Sequence, residues 1–259
     1  VQQSANKRQY GFVELLTPDG YNPKLKKGRA RGYASAVLHL APASLSGYNV
    51  CPSATLGCRA ACLNTAGHGG IVKRGETTNE IQLARIARTR LFFQDRFAFN
   101  ALLVKSIEAH IRRALRRGLT PVVRLNGTSD LPWERLLLND GRTVLETFPG
   151  IQFYDYTKVA KRAIANARGE HPANYALTFS RAESNQADVD AVMAAGANVA
   201  VVFNLPAVNV VPIGYNGARV IDGDADDLRF LDPRGVVVGL KAKGRGRRDD
   251  SGFVVRMAA

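Results

Sequence analysis

Apolar and polar positions along this chain alternate between two periods. The run YASAVLHL, Tyr33 to Leu40, is apolar enough on both faces for a buried strand and is stopped by Pro42. After Gly67, Gly69 and Gly70 the period becomes three to four. Ile81, Leu83, Ala84, Ile86, Ala87, Leu91 and Phe92 predict a helix behind a Thr78 cap, and Leu102, Leu103, Ile107, Ile111, Ala114 and Leu115 predict a second that ends at Gly118. Short apolar strands then alternate with helical segments. The strands are predicted at 121–126, 151–156, 174–180, 198–204, 218–222 and 235–241, and the helices at Trp133 to Leu138, Lys158 to Ala167 and Gln186 to Ala195. Strands separated by helices are the pattern of parallel βα units. The predicted class is therefore α/β: an incomplete, TIM-like parallel (β/α) barrel, with a doubly wound sheet as the other solution.

Around this core the organisation follows from composition. Residues 1–32 read as a basic N-terminal extension, with Lys7, Arg8, Lys24, Lys26, Lys27, Arg29 and Arg31 set among PDG and NPK turn signals and a short strand at Phe12 to Leu16. Residues 33–241 read as a single partial barrel, and 242–259 as a basic tail that opens in KAKGRGRR. A chain of 28.1 kDa with 46% hydrophobic residues can bury one full core. It contains no apolar run of membrane-spanning length and no secretory signal pattern at Val1, so the expected location is cytoplasmic, where thiols stay reduced. The net charge of +14 and pI near 10.1 predict attraction to polyanions, nucleic acid first, unless the cations are simply solvated faces. Arg112, Arg113, Arg116 and Arg117 stack like charges at helical spacing and need relief by an anion or by solvent.

In parallel βα folds the reactive groups gather at the carboxyl ends of the strands. Here those ends carry Asn126, Thr128, Ser129 and Asp130; Tyr154, Asp155, Tyr156 and Lys158; Ser180, Arg181 and Glu183; Asn204; the aspartates of DGDADDLRFLDP (222–233); and Lys241 with Lys243. Any one of them could be a helix cap, Ser129, Asp130 and Thr157 above all. The aspartate run lacks the glutamate of a calcium loop, with Pro233 at the twelfth place, and reads as turn chemistry with ion pairing. LNGTSD lacks the ending of a phosphate loop.

The loop after the first strand, CPSATLGCRAAC, holds all three cysteines of the chain, Cys51, Cys58 and Cys62, within twelve positions. Three thiolates at this spacing suit one soft metal centre, with a fourth ligand from His68, water or a small molecule. A [4Fe-4S] cluster with one open iron fits such a set; zinc bound by Cys51, Cys58, Cys62 and His68 is the rival, and unmetallated thiols are the third reading. A loop leaving the first strand would bring a cluster to the mouth of a barrel, where a structural zinc has no need to be.

The three-cysteine loop followed by βα units with polar strand ends resembles the core of the radical S-adenosylmethionine (SAM) superfamily. Its members hold a [4Fe-4S] cluster with three cysteines and chelate the fourth iron with SAM. This resemblance implies a radical-SAM-like barrel in which Asn126, Thr128, Ser129 and Asp130 stand where the SAM amino group is recognised, while Ser180, Arg181 and Asn204 face its carboxylate or ribose. The motifs CPSATLGCRAAC, RLNGTSDLPWE, FYDYTKV and VIDGDADDLRFLDP also resemble a group of bacteriophage-encoded proteins from about Tyr33 onward, which implies the host cytoplasm. Two functions remain open. One is a radical SAM enzyme acting on a nucleic acid or nucleotide, with Tyr154, Asp155, Tyr156 and Lys158 at the substrate. The other is a nucleic-acid-binding protein whose cluster is structural or redox-sensing. A Cys3His zinc protein is the third alternative.

Overall fold

The predicted periods become the observed elements nearly one for one. A computed structural model of the chain describes residues 5, 8–12, 14–205 and 210–257. Lys7 and Val13 of the N-terminal extension and residues 258–259 of the tail lie outside them. Among the described residues the strands are β1 (Leu16–Pro18), β2 (Tyr33–Leu38), β3 (Thr120–Arg124), β4 (Gln152–Thr157), β5 (Tyr175–Ser180), β6 (Val199–Asn204), β7 (Gly214–Tyr215), β8 (Ala218–Asp222), β9 (Val237–Lys241) and β10 (Val255–Arg256). The helices are α1 (Pro23–Lys27), α2 (Leu56–Ala60), α3 (Glu80–Gln94), α4 (Arg96–Leu115), α5 (Val144–Thr147), α6 (Ala160–Ala167) and α7 (Gln186–Ala194). The fold is mixed α/β, with a ten-stranded, mostly parallel sheet.

The chain divides into two compact units, Val1–Pro52 with Asn64–Phe153, and Ser53–Leu63 with Tyr154–Ala259. Cys51 therefore belongs to the first unit and Cys58 and Cys62 to the second, while β4 has residues in both.

In the first unit β2 pairs antiparallel with β1 and parallel with β3, and β3 runs parallel to the start of β4. Helix α4 turns Phe99, Leu103, Ile107, His110 and Ala114 inward, the three-and-four spacing of one helical face. His110 on that face is a satisfied core residue, its Nε2 lying 3.0 Å from the Ala34 carbonyl. Three of the four arginines expected to repel one another meet carboxylates: Arg113 pairs with Glu14 at 3.1 Å and Arg117 with Asp19 at 3.5 Å, both in the N-terminal segment, and Arg112 with Glu108 of the same helix at 3.8 Å. Asn79, not Thr78, caps α3, its Oδ1 accepting from Gln82 N at 3.0 Å, because Asn79 holds the extended conformation that a cap requires.

The helix expected at Trp133 to Leu138 is absent, and α5 forms further on. Asn139, Asp140 and Gly141 make a turn that bridges Leu137 to Thr143, with Gly141 at φ +79°, so the turn signal overrides a weak apolar period. Helix α5 then starts with a capping box in which the Thr143 and Glu146 side chains bond to each other's backbone N–H.

In the second unit the strand order continues β4, β5, β6, β9, β8, β7, with β10 laid parallel on the last residues of β6. Val199, Val201 and Phe203 alternate along β6 towards a buried cluster that includes Phe179, Val189, Val192, Ala163 and Val237. Burying each such side chain contributes about 1.5–3 kcal/mol. Strands β7 and β10 are too short to show in a periodicity; the short N-terminal strand expected at Phe12 to Leu16 forms later, as β1, sharing only Leu16 with that span, and the other seven predicted strands are β2 to β6, β8 and β9.

Candidate metal centre and the strand ends

In the first unit two loops are laced together at the ends of β2 and β3. Thr128 donates its hydroxyl to the Leu40 carbonyl at 2.6 Å, and Asp130 donates its N–H to the Val50 carbonyl at 2.8 Å. Cys51 sits at this seam, its N–H on Asn49 Oδ1 at 2.8 Å and its Sγ 3.6 Å from the Thr128 carbonyl. Asn126 builds the loop from within. Its Oδ1 accepts from Ser129 Oγ at 2.8 Å, Leu131 N at 2.9 Å and Trp133 Nε1 at 3.3 Å, and its Nδ2 donates to the Leu131 carbonyl at 2.9 Å. The following Gly127 is obligatory for packing: a Cβ there would stand 2.7 Å from the Leu38 carbonyl and 2.6 Å from Val37 Cγ1.

In the second unit Cys58 lies on α2 and Cys62 just beyond it. Thr55 caps the helix by accepting from Cys58 N at 3.2 Å. The decisive fastening comes from Glu183, after β5. Its carboxylate accepts from Thr55 Oγ1 at 2.7 Å and from Gly57 N at 2.8 Å. Burial pushes the Glu183 carboxyl up, but the backbone N–H groups of Glu183 and Gly57, the Thr55 hydroxyl and the Lys158 charge outweigh it and hold the group below its ordinary value. Gly57 is wedged between Glu183, Ser251 and Phe253, with no room for a Cβ. Below it Ala61, Ala182, Ala242, Phe253 and Val254 form a small buried cluster against which Cys58 packs. Residues 242–254 are therefore built into this unit.

The sequence points to Glu183 only as one of the polar strand ends, with no partner, and does not point to Thr55 as a site residue. Thr55 carries a legible signal, a hydroxyl residue one position before a helix, whereas nothing in the sequence links Glu183 to residues more than a hundred positions earlier.

The other predicted residues fall into distinct environments. Lys158 donates to Ser180 Oγ at 2.8 Å and lies 5.1 Å from the centre of the Phe253 ring. Arg181 donates to the Phe253 carbonyl at 3.0 Å, and Asn204 at the end of β6 pairs with Arg256 of β10. Tyr154 and Asp155 are fully buried on opposite sides of β4. The Tyr154 hydroxyl lies 3.4 Å from Asp227, and Asp155 accepts from the Tyr175 hydroxyl at 3.0 Å beside the buried Arg162. Tyr156 is half-buried. The aspartate run closes on cations of this unit, as its turn chemistry predicts: Asp224 on Lys243 at 2.6 Å, and Asp226 and Asp232 on Arg229 at 3.3 Å and 3.0 Å. His68 is exposed in a 3-10 turn of the first unit, at Gly67–Gly70.

Each of the three cysteines carries a thiol and is half-buried. The chemistry of this donor set fits a soft metal or an iron-sulfur cluster. Among the described residues no three His, Cys, Asp or Glu side chains stand close enough together to hold a metal ion. No helix among them is long and apolar enough to cross a membrane.

No curated protein and no solved structure matches the chain. A family profile described as gene product 88, of phage type, matches residues 14–257. That span takes in both compact units, the cysteine loop and every strand end described above, and the chain belongs to the gene product 88 family.

Proposed function

We propose that this chain is an iron-sulfur protein on an incomplete parallel (β/α) barrel, a radical-SAM-type enzyme acting on nucleic acid, with Cys51, Cys58 and Cys62 as the ligands of a [4Fe-4S] cluster. The observation that carries the reading is the confinement of all three thiols to twelve residues of the loop that follows β2. The neighbour order β2, β3, β4, β5, β6 repeats the chain order, as in a barrel, while beyond β6 the order reverses to β9, β8, β7 and the sheet stays open. When bound, such a cluster supplies one-electron chemistry and an open iron for a small chelating molecule such as SAM.

The chain's own residues supply position. Glu183 fixes the backbone that carries Cys58 and Cys62, and the Thr128 carbonyl accompanies the Cys51 sulfur. Ser129 is committed to Asn126 and Thr128 to the Leu40 carbonyl, while Ser180 accepts from Lys158 and Arg181 donates to the Phe253 carbonyl. Lys158, held on Ser180, is the group best placed to move a proton.

A second reading, a nucleic-acid-binding protein whose cluster is structural or redox-sensing, draws support from the complete burial of Tyr154 and Asp155, which keeps both from any substrate. Titrating SAM into the reduced protein distinguishes the two. A changed electron paramagnetic resonance spectrum is expected for the enzyme. An unchanged one leaves the cluster without SAM chemistry, and stoichiometric zinc in place of iron refutes both.

A further inference from the structure

The positive charge of this chain is unevenly spent. Arg29, Arg113, Arg117 and Arg229 each face a carboxylate. Arg245, Arg247 and Arg248, three guanidinium groups within four residues, have neither an ion pair nor a side-chain hydrogen bond among the described residues. They are not on a loose tail. The segment Gly244–Arg248 is a 3-10 turn whose buried Gly246 packs so that a Cβ there would stand 3.6 Å from the Ala61 methyl. Asp249 secures its end, donating its N–H to the Gly246 carbonyl at 3.1 Å and accepting from Val254 N at 2.9 Å. Arg256 donates to the Asp249 carbonyl at 2.9 Å.

Two clefts of the second unit meet at Asp249 and Asp250. One, of about 470 Å³, lies between α2 and the turn, with Leu56 and Gly57 on one wall and Arg245 and Arg248 on the other. The second, of about 540 Å³, is lined by Arg181, Tyr215, Val255 and Arg256. Leu56 is 83% exposed, and Tyr215, half-exposed, meets Phe203 edge to face at 5.5 Å between ring centres.

We propose that the two clefts form one groove for single-stranded nucleic acid, with phosphates on Arg245, Arg248 and Arg256 of its lining and on the exposed Arg247 of the same turn, and a base against Tyr215. Guanidinium forks match phosphate oxygens two at a time. A basic groove interleaved with an aromatic side chain is how single strands are held without sequence preference. The concave walls suit a flexible strand better than the convex surface of a duplex or the plane of a bilayer. The groove rests on the nucleic-acid part of the function proposed above and is independent of the cluster.

The test is anisotropy of a fluorescein-labelled single-stranded 20-mer with the full chain over a range of salt. The variant R245A/R247A/R248A is compared with a control of equal charge, K26A/K105A/R116A, taken from exposed cations of the first unit. Each lost phosphate contact removes about 0.7 from the slope of log affinity against log salt. The groove variant should lower the slope by about 2, while the control stays within about 0.5 of wild type. Asp250→Asn removes a negative charge from between the clefts and should tighten binding, a gain that misfolding would not mimic.

Equal losses in variant and control overturn the groove. So does tighter binding of the corresponding duplex, or a variant that loses only its binding to phosphatidylserine vesicles. Iron is assayed on the same samples, so absent oligonucleotide binding with iron retained counts against the groove, and retained binding without iron counts against the cluster.

Discussion

Replacing Glu183 with alanine should release the segment that carries two of the three cysteines. In the wild type the carboxylate accepts from the Thr55 hydroxyl at 2.7 Å and from Gly57 N at 2.8 Å. Hydrogen bonds to a charged acceptor contribute about 1.5–3 kcal/mol each. Because the site is only half-buried, about 2–4 kcal/mol for the pair is the appropriate scale. If local opening of residues 53–63 exposes the sulfurs, that loss multiplies the open population by about 30 to 1,000. The assay is the rate at which an aromatic disulfide reagent modifies each thiol of the metal-free protein, read residue by residue by mass spectrometry. Cys58 and Cys62 should react at least about 30-fold faster in E183A. Cys51, in the other unit and bonded to Asn49 and Thr128, should react at the wild-type rate. Since the Glu183 carboxyl is held below its ordinary value, its stabilisation is complete at neutral pH and is lost as pH falls through that lowered value. The wild type at acidic pH should therefore approach the behaviour of the variant. Unchanged rates at Cys58 and Cys62 in E183A would refute the tether.

Gly57→Ala forces a methyl against Ser251, Glu183 and Phe253 and should destabilise the protein by about 1–3 kcal/mol in urea unfolding, with the same rise in Cys58 reactivity. Asn126→Ala strips four hydrogen bonds from a buried loop and should cost about 3 kcal/mol, followed by the fluorescence of Trp133, the single tryptophan, which itself bonds to Asn126. Burial, outweighing its bond to the Ala34 carbonyl, lowers the pKa of His110. The unfolded chain then binds the extra proton first, so stability should fall as pH drops through the ordinary histidine range towards 5, by at most about 1.4 kcal/mol per pH unit for this group, and His110→Gln should flatten that dependence.

Much of this molecule was legible in its sequence, and the failures have physical causes. Strands such as Val199–Asn204 and Ala218–Asp222 announce themselves because an apolar period of two or a short apolar run has few other solutions. Trp133 to Leu138 misled because six residues are too few to set a helical period against an Asn-Asp-Gly turn. Strands of two or three residues, such as β7 and β10, are made by their neighbours and carry no pattern of their own. At the site, the sequence points to the cysteines and to polar strand ends without ranking them. Asn126 proves to be committed to its own loop and Tyr154 and Asp155 to the interior, while Glu183 takes the central place beside α2. Such pairings join residues 126 to 128 positions apart and arise from topology alone.

The central claim is that Cys51, Cys58 and Cys62 together hold a [4Fe-4S] cluster. Its most direct test is iron and acid-labile sulfide per chain in protein purified without oxygen, with each cysteine replaced by alanine in turn. The account predicts about four of each in the wild type, broad absorbance near 400 nm, and loss of both in every one of the three variants, with iron retained in His68→Ala. Stoichiometric zinc in the wild type, lost in His68→Ala as in the cysteine variants, would contradict it, as would a chain that takes up no metal under reconstitution.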